Sequence, residues 1–278
     1  MNQMHIVSIH PEPICRIAYE NVSTKRVVVI GQLEVLKSTV TALPNKLDAI
    51  LFTGDLQGRA VRPNDRLPGR LLGELLAEEL QVLASHGAIP ALDRIGVVLV
   101  GDLYARPEMD KRGGTGDVRS VWKAFANCCR WVVGVAGNHD MFGPSFSEAH
   151  VKAFNQQPQI HLLDGQAVNV DGLKVAGLSG IVGNPRRPFR RTEADFTAAV
   201  KRLSDDEPDL LLMHDGPDVP GYNFKGWTSV RQTLEVSKPT VVVRGHAYWR
   251  NPLFALRNNT QVLNVDSRAI LAVRATDG

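Results

Sequence analysis

The sequence predicts an α/β fold in which two mixed β-sheets pack as a sandwich flanked by α-helices. Three observations carry this expectation. From about residue 48, short apolar runs alternate with segments of helical period, the pattern of strands with helices packed on them. These runs are apolar throughout, as expected of strands covered on both faces. Beyond about residue 160 the chain changes to short strands with Asp-Gly turns, and it ends in strands that read as antiparallel. The 278 residues read as a single domain, 1–278, in which 1–47 is a β-rich lead-in.

In order along the chain, the lead-in carries strand candidates at 6–9, 17–19 and 26–30. Residues 49–52 form a short apolar strand ending in TGDLQG. In 71–85, Leu71, Leu72, Leu75, Leu76, Leu80 and Leu83 recur at helical spacing. A strand at 97–100 ends in GDLY, a helix follows at 118–127, and a strand at 131–135 ends in AGNHD. Strands at 160–163, 167–170 and 173–178 are separated by the turns Asp164-Gly165 and Asp171-Gly172. Thr192-Glu193-Ala194-Asp195 fits a capping box and opens a helix to about Leu203. Strands at 210–213 and 240–243 end in HDGP and RGHAYW. Strands at 254–256, 261–265 and 270–273 close the chain, with a turn at Asn258-Asn259.

Composition excludes several classes. Lys and Arg total 32 against 29 Asp and Glu, and a net charge of +3 is too small to argue for nucleic acid or a membrane surface. With 44% hydrophobic and 22% charged residues, intrinsic disorder is ruled out. No apolar run approaches the roughly 20 residues of a membrane helix. The start, MNQMHIVSIHPEP, lacks a basic region followed by a long apolar one. Cys15, Cys128 and Cys129 make a poor disulfide framework and read as reduced core residues. The expectation is a cytoplasmic protein.

The polar residues at strand ends are the informative feature. Five apolar strands each end in a metal-competent group: Asp55, Asp102, Asn138 with His139, His214, and His246. Ligand sites in open α/β sheets lie beyond the carboxyl ends of strands. Asp and Asn favour turns, so either alone is ordinary, but turn preference does not explain five strand ends at once. Mixed oxygen and imidazole donors suit Mn, Fe or Zn rather than calcium.

Taken together, GDLQG (54–58), GDLY (101–104), GNHD (137–140), MHD (213–215) and GHAY (245–248) resemble the calcineurin-like metallophosphoesterase family. The resemblance runs from about residue 48 onward and implies that family's four-layer fold. It implies hydrolysis of a phosphomonoester or phosphodiester at a dinuclear centre of divalent ions, with Mn favoured and Fe or Zn as alternatives. It implies that Asp102 bridges both metals, that Asn138, His214 and His246 complete one site, and that Asp55 binds the other. His139 would protonate or stabilise the leaving oxygen, with Asp140 orienting its imidazole, while a metal-bound hydroxide attacks.

Two positions depart from the family pattern. Gln57 stands where the first motif usually ends in His, and Tyr248 where the last one does. Both would belong to the same metal site, which leaves one site complete and the other poor. Gln57 is then a weak oxygen ligand or a neighbour that holds water. Tyr248 is a weak phenolate ligand, a substrate contact or a packing residue; an ordinary phenol pKa of about 10 disfavours the first. A binding scaffold with weak or no catalysis is the alternative reading.

Basic residues outside these motifs are candidates for the phosphate-ester substrate. Arg106 follows the second motif, and Arg186 and Arg187 lie in the run NPRRPFRR, either a solvated loop or a phosphate-facing one. No row of aromatics flanks that run, so a nucleic-acid platform is unsupported.

Overall fold

Strands without a polar face need cover on both sides, and the chain supplies it in four layers. The computed structural model describes residues 4–61 and 69–275. The first half contains β1 (Ile6–Val22), β2 (Val28–Val40), β3 (Ala49–Gly54), β4 (Arg59–Ala60), α1 (Leu72–Ser85), β5 (Ile95–Leu99), β6 (Gly116–Asp117), α2 (Arg119–Ala126), β7 (Trp131–Gly134) and β8 (Asp140–Met141). There follow α3 (Glu148–Phe154), β9 (Ile160–Leu162), β10 (Gln166–Val170), β11 (Leu173–Leu178), β12 (Ile181–Val182), β13 (Arg190–Arg191), α4 (Glu193–Asp205) and β14 (Leu210–Met213). The chain ends with α5 (Thr228–Glu235), β15 (Val241–Arg244), β16 (Leu253–Ala255), β17 (Gln261–Asn264) and β18 (Arg268–Arg274).

The larger sheet has the order β4-β1-β2-β18-β3-β5-β7-β9, and the smaller has β10-β11-β14-β15-β17-β16. Both are mixed: the smaller has a parallel centre with an antiparallel pair at each edge, and the larger runs parallel from β3 to β9 and antiparallel between β18 and β3, β1 and β2, and β1 and β4. Side-chain alternation explains why the central strands are apolar throughout. In β3, Ile50 and Phe52 face the core between the sheets, and Leu51 faces the helices. The inter-sheet core joins Val98, Val100 and Val133 to Val175, Leu212 and Val243. Leu76 and Leu80 of α1 and Trp122 and Phe125 of α2 cover the outside of the larger sheet. Phe196 and Val200 of α4 and Val230 and Leu234 of α5 cover the smaller one. The sandwich flanked by helices is thus the observed architecture.

Several elements differ from expectation. The lead-in is one long hairpin rather than three short strands. Pro11 and Pro13 do not end β1, because register shifts between Ile9 and Pro13 and between Pro13 and Cys15 absorb them. The last strand does not stay beside β17. It crosses to the larger sheet, parallel to β2 and antiparallel to β3. Helices α3 and α5, of seven and eight residues, were not expected. The Thr192 hydroxyl does cap α4, accepting the Asp195 N–H at 3.2 Å. Cys15, Cys128 and Cys129 are free thiols. Among the described residues no helix is long and apolar enough to cross a membrane.

Candidate metal centre

Parallel neighbours deliver their carboxyl ends to one edge of a sheet. β3, β5 and β7 are such neighbours in the larger sheet, and β14 and β15 in the smaller. The five motif segments follow these five strands. Asp55, Asp102 and His246 each adopt left-handed backbone, with φ of 51°, 53° and 65°. Residues with side chains pay for that conformation, and it clusters at functional sites. Hydrogen bonds hold the turns. The Asp55 N–H donates to Gly101 O at 2.8 Å, and the His246 N–H donates to Asp55 Oδ2 at 2.8 Å. Two motif glycines are required by close approach. A Cβ on Gly137 would lie 2.0 Å from Asp102 Oδ1, and one on Gly245 would lie 2.2 Å from Asp55 Oδ2.

Asp102, His214 and His246 bring three ligand atoms within 4.8 Å of one another. His214 Nδ1 donates to Val100 O at 2.6 Å, which leaves the Nε2 lone pair free in the neutral imidazole. Nε2 lies 3.5 Å from Asp102 Oδ2 and has no hydrogen-bond partner. Asn138 Oδ1 is also buried without a partner. Its neighbour His139 donates its N–H to Asp102 Oδ1 at 3.1 Å. Buried polar atoms are nearly always satisfied. Two unsatisfied acceptors beside a buried carboxylate fit a cation.

The electrostatics couple the same residues. Burial alone would raise the Asp102 pKa, but the neighbouring His214 outweighs it and holds the carboxyl at about 2. Burial likewise opposes charge on His214, but Asp102 overrides it and raises the imidazole to about 10, so a cation at Nε2 would take the place of a proton that Asp102 otherwise holds there. Asp55 is pushed well above the usual carboxylate range by burial and then by Asp266. His246 is pushed down by burial and then by His214. Three buried carboxylates, Asp55, Asp102 and Asp266, therefore crowd one edge of the sandwich, and a divalent ion would relieve their repulsion.

Asp55 adjoins the cluster through His246 but is not among its three members. Gln57 Nε2 donates to Asp102 Oδ2 at 3.0 Å. It is thus the amide nitrogen of Gln57, which has no lone pair for a metal, that faces Asp102. Tyr248 is 63% exposed, with the Arg268 guanidinium 4.5 Å above its ring.

Asp140, expected to orient the His139 imidazole, turns its oxygens toward backbone. Its oxygens accept the N–H groups of Asp102, Leu103 and Gly137 at 2.8–2.9 Å. They tie the second and third motifs together, and the partner of His139 Nδ1 is instead Thr115 Oγ1 at 3.1 Å. Arg106 pairs with Glu108 and Asp110 of its own loop. Arg186 is exposed, and Arg187 lines a cavity that contains none of the cluster residues.

Two residues escaped the sequence reading. Thr115 lies in a glycine-rich loop whose contact with the GNHD segment is long-range. Asp266 follows β17 as a further carboxylate after an apolar strand, so the strand-end rule could have found it.

Comparisons with known proteins bear on this geometry. Solved structures share the fold, among them two of low sequence identity. One, TT1561 of Thermus thermophilus, is 17% identical with a TM-score of 0.56, over 80% of this chain and 90% of that one. The other is 13% identical with a TM-score of 0.53, over 79% and 90%. No curated protein matches the chain. Residues 9–249 match the family described as calcineurin-like phosphoesterase, so the likeness begins within β1, well before the first motif. With the five motifs gathered at one edge of a four-layer sandwich, the chain belongs to the calcineurin-like phosphoesterase family.

Proposed function

We propose that the chain hydrolyses a phosphate ester, a phosphomonoester or phosphodiester, with Asp102, Asn138, His214 and His246 holding a divalent metal, Mn by preference and Fe or Zn otherwise. The observation that carries this reading is the pair of unsatisfied buried acceptors, Asn138 Oδ1 and His214 Nε2, beside Asp102. A bound divalent ion supplies Lewis-acid polarisation of phosphoryl oxygens and lowers the pKa of water. The protein's own groups do the remainder. The Val100 carbonyl sets the His214 tautomer. Asp140 locks the second and third motifs in register through three backbone N–H groups. Thr115 holds His139 at Nδ1, which leaves Nε2 as the nitrogen to protonate a departing alkoxide. Asp55 serves a second, weaker metal position.

Metal analysis of protein purified without chelator, with turnover of an aryl phosphate monoester and diester in added Mn, tests this reading. Asp102→Asn and His214→Ala should each lose bound metal and turnover. Wild-type metal content and turnover in both variants would overturn it. A second reading, a family-fold binding scaffold with weak catalysis, is favoured by Gln57, whose amide occupies an Asp102 oxygen. Absence of turnover in wild-type protein that is folded and takes up no metal would select that scaffold.

A further inference from the structure

Beside the candidate metal centre lies a second concavity with a different chemistry. It encloses about 530 Å³ between α3 and the segment 185–191. That volume is in the range of small-molecule sites. Its wall is bonded to the third motif strand: the Ala136 N–H donates to Ser179 Oγ at 2.9 Å, and the Gly180 N–H donates to Ala136 O at 2.8 Å. Ser179 lines the cavity, and Ala136 stands two residues before Asn138.

The lining combines cations with aromatic rings. Arg191 is already committed, donating to Asp164 Oδ1 at 2.7 Å and to Ser179 O at 2.8 Å. Lys152, Arg187 and Arg190 also line the space, and none of them makes a side-chain hydrogen bond or ion pair among the described residues. Glu148 and Asp164 are the acidic groups in the lining, so positive charge is in excess there. Phe146 and Phe189 meet edge to face, with centroids 5.1 Å apart. Phe146 is 40% exposed although a partner ring is available to bury it. Phe189 is held in left-handed backbone, φ 49°, a strained conformation for an aromatic residue.

Uncommitted guanidinium groups recognise phosphate, and an exposed aromatic edge or face recognises a planar ring. We propose that this cavity is a binding site for a phosphorylated planar ring compound, a nucleotide being the simplest probe, distinct from the metal-binding cluster. Phosphate would meet Arg187, Arg190 and Lys152, and the ring would pack on Phe146 and Phe189. The site depends on no metal and on no catalytic step.

Calorimetric titration of the full chain with 5′-AMP, adenosine and inorganic phosphate tests this. AMP should bind at least about tenfold more tightly than either part, since ring and anion contacts add. Arg190→Glu and Phe146→Ala should each weaken AMP by about tenfold or more, while chelator-treated wild type and His214→Ala retain it. Both cavity substitutions alter partly exposed side chains, and a matching far-UV spectrum verifies their fold. No AMP binding at millimolar concentration would overturn the proposal. So would binding that survives both cavity substitutions but fails without metal, which would place AMP at the cluster. Phosphate binding as tightly as AMP would overturn the ring contact. Failure of metal uptake, by contrast, bears on the proposed hydrolysis and leaves this site unaffected.

Discussion

His139 and Gln57 are the residues whose chemistry depends most on a single neighbour. With Thr115 at its Nδ1, His139 is placed to act through the other nitrogen. His139→Ala should keep bound metal and slow turnover by about 10²–10⁴-fold, the usual worth of a general acid. The loss should shrink for nitrophenolate leaving groups, which need no proton. Equal losses for nitrophenolate and alkyl esters would assign His139 another role. Gln57 donates to an Asp102 oxygen that a second ion would need. Gln57→His removes that donor amide and offers an imidazole, so Mn titration of apo protein should gain or strengthen a second step. Asp55→Ala should abolish that step and spare the first. Two equally tight steps in wild type, unchanged by Gln57→His, would mean that other ligands complete the second position.

At the scale of elements, one carboxylate clamps the two sheets at the edge opposite the motifs. Asp171 lies in the turn between β10 and β11 of the smaller sheet. It accepts from Arg130 Nε at 2.5 Å, Arg130 Nη2 at 3.0 Å and Trp131 Nε1 at 3.0 Å, at the start of β7 in the larger sheet. The Arg130 hydrogen bond, ahead of the opposing effect of burial, holds the Asp171 carboxyl below its usual pKa. A depressed folded-state pKa contributes stability above the unfolded value, about 3.9, and that contribution is lost as pH falls through the folded value. Asp171→Asn, which also tolerates the left-handed backbone at φ 54°, should cost about 1–3 kcal/mol at pH 7 in urea unfolding. The difference from wild type should narrow in acid. A difference independent of pH would assign the effect to packing of the turn.

For the whole molecule, the position of β18 matters most. It sits inside the larger sheet between β2 and β3, although it is the last strand made. It pairs with β2 from Ala269 to Arg274 and with β3 from Arg268 to Val273. Ile270 and Ala272 reach the inter-sheet core, while Ala269 and Leu271 face the helices. Ending the chain before Arg268 would expose both flanking strand edges and open both cores. Such a protein should lose cooperative thermal unfolding and be cut rapidly by protease. In the intact chain, hydrogen exchange should find the β18 amides as slow as those of β3. Fast exchange along β18 with slow exchange along β3 would show that the last strand is a detachable edge.

The sequence by itself determined the class of sandwich, the central strands and the five motif segments. Each of these is local: an apolar run declares a strand covered on both faces, and the residue after it stands at a carboxyl end whatever the strand pairs with. Asp102, His214 and His246 could therefore be named before any contact was known. Only the tertiary structure decided what those residues meet. His214 finds the Val100 carbonyl across 114 residues, and Gln57 finds Asp102 across 45. Asp140 turned out to bind backbone N–H groups, Thr115 took its place beside His139, and Asp266 joined the buried carboxylates. No periodicity encodes such pairings. They follow from strand order, which is set by how every strand buries its two faces at once.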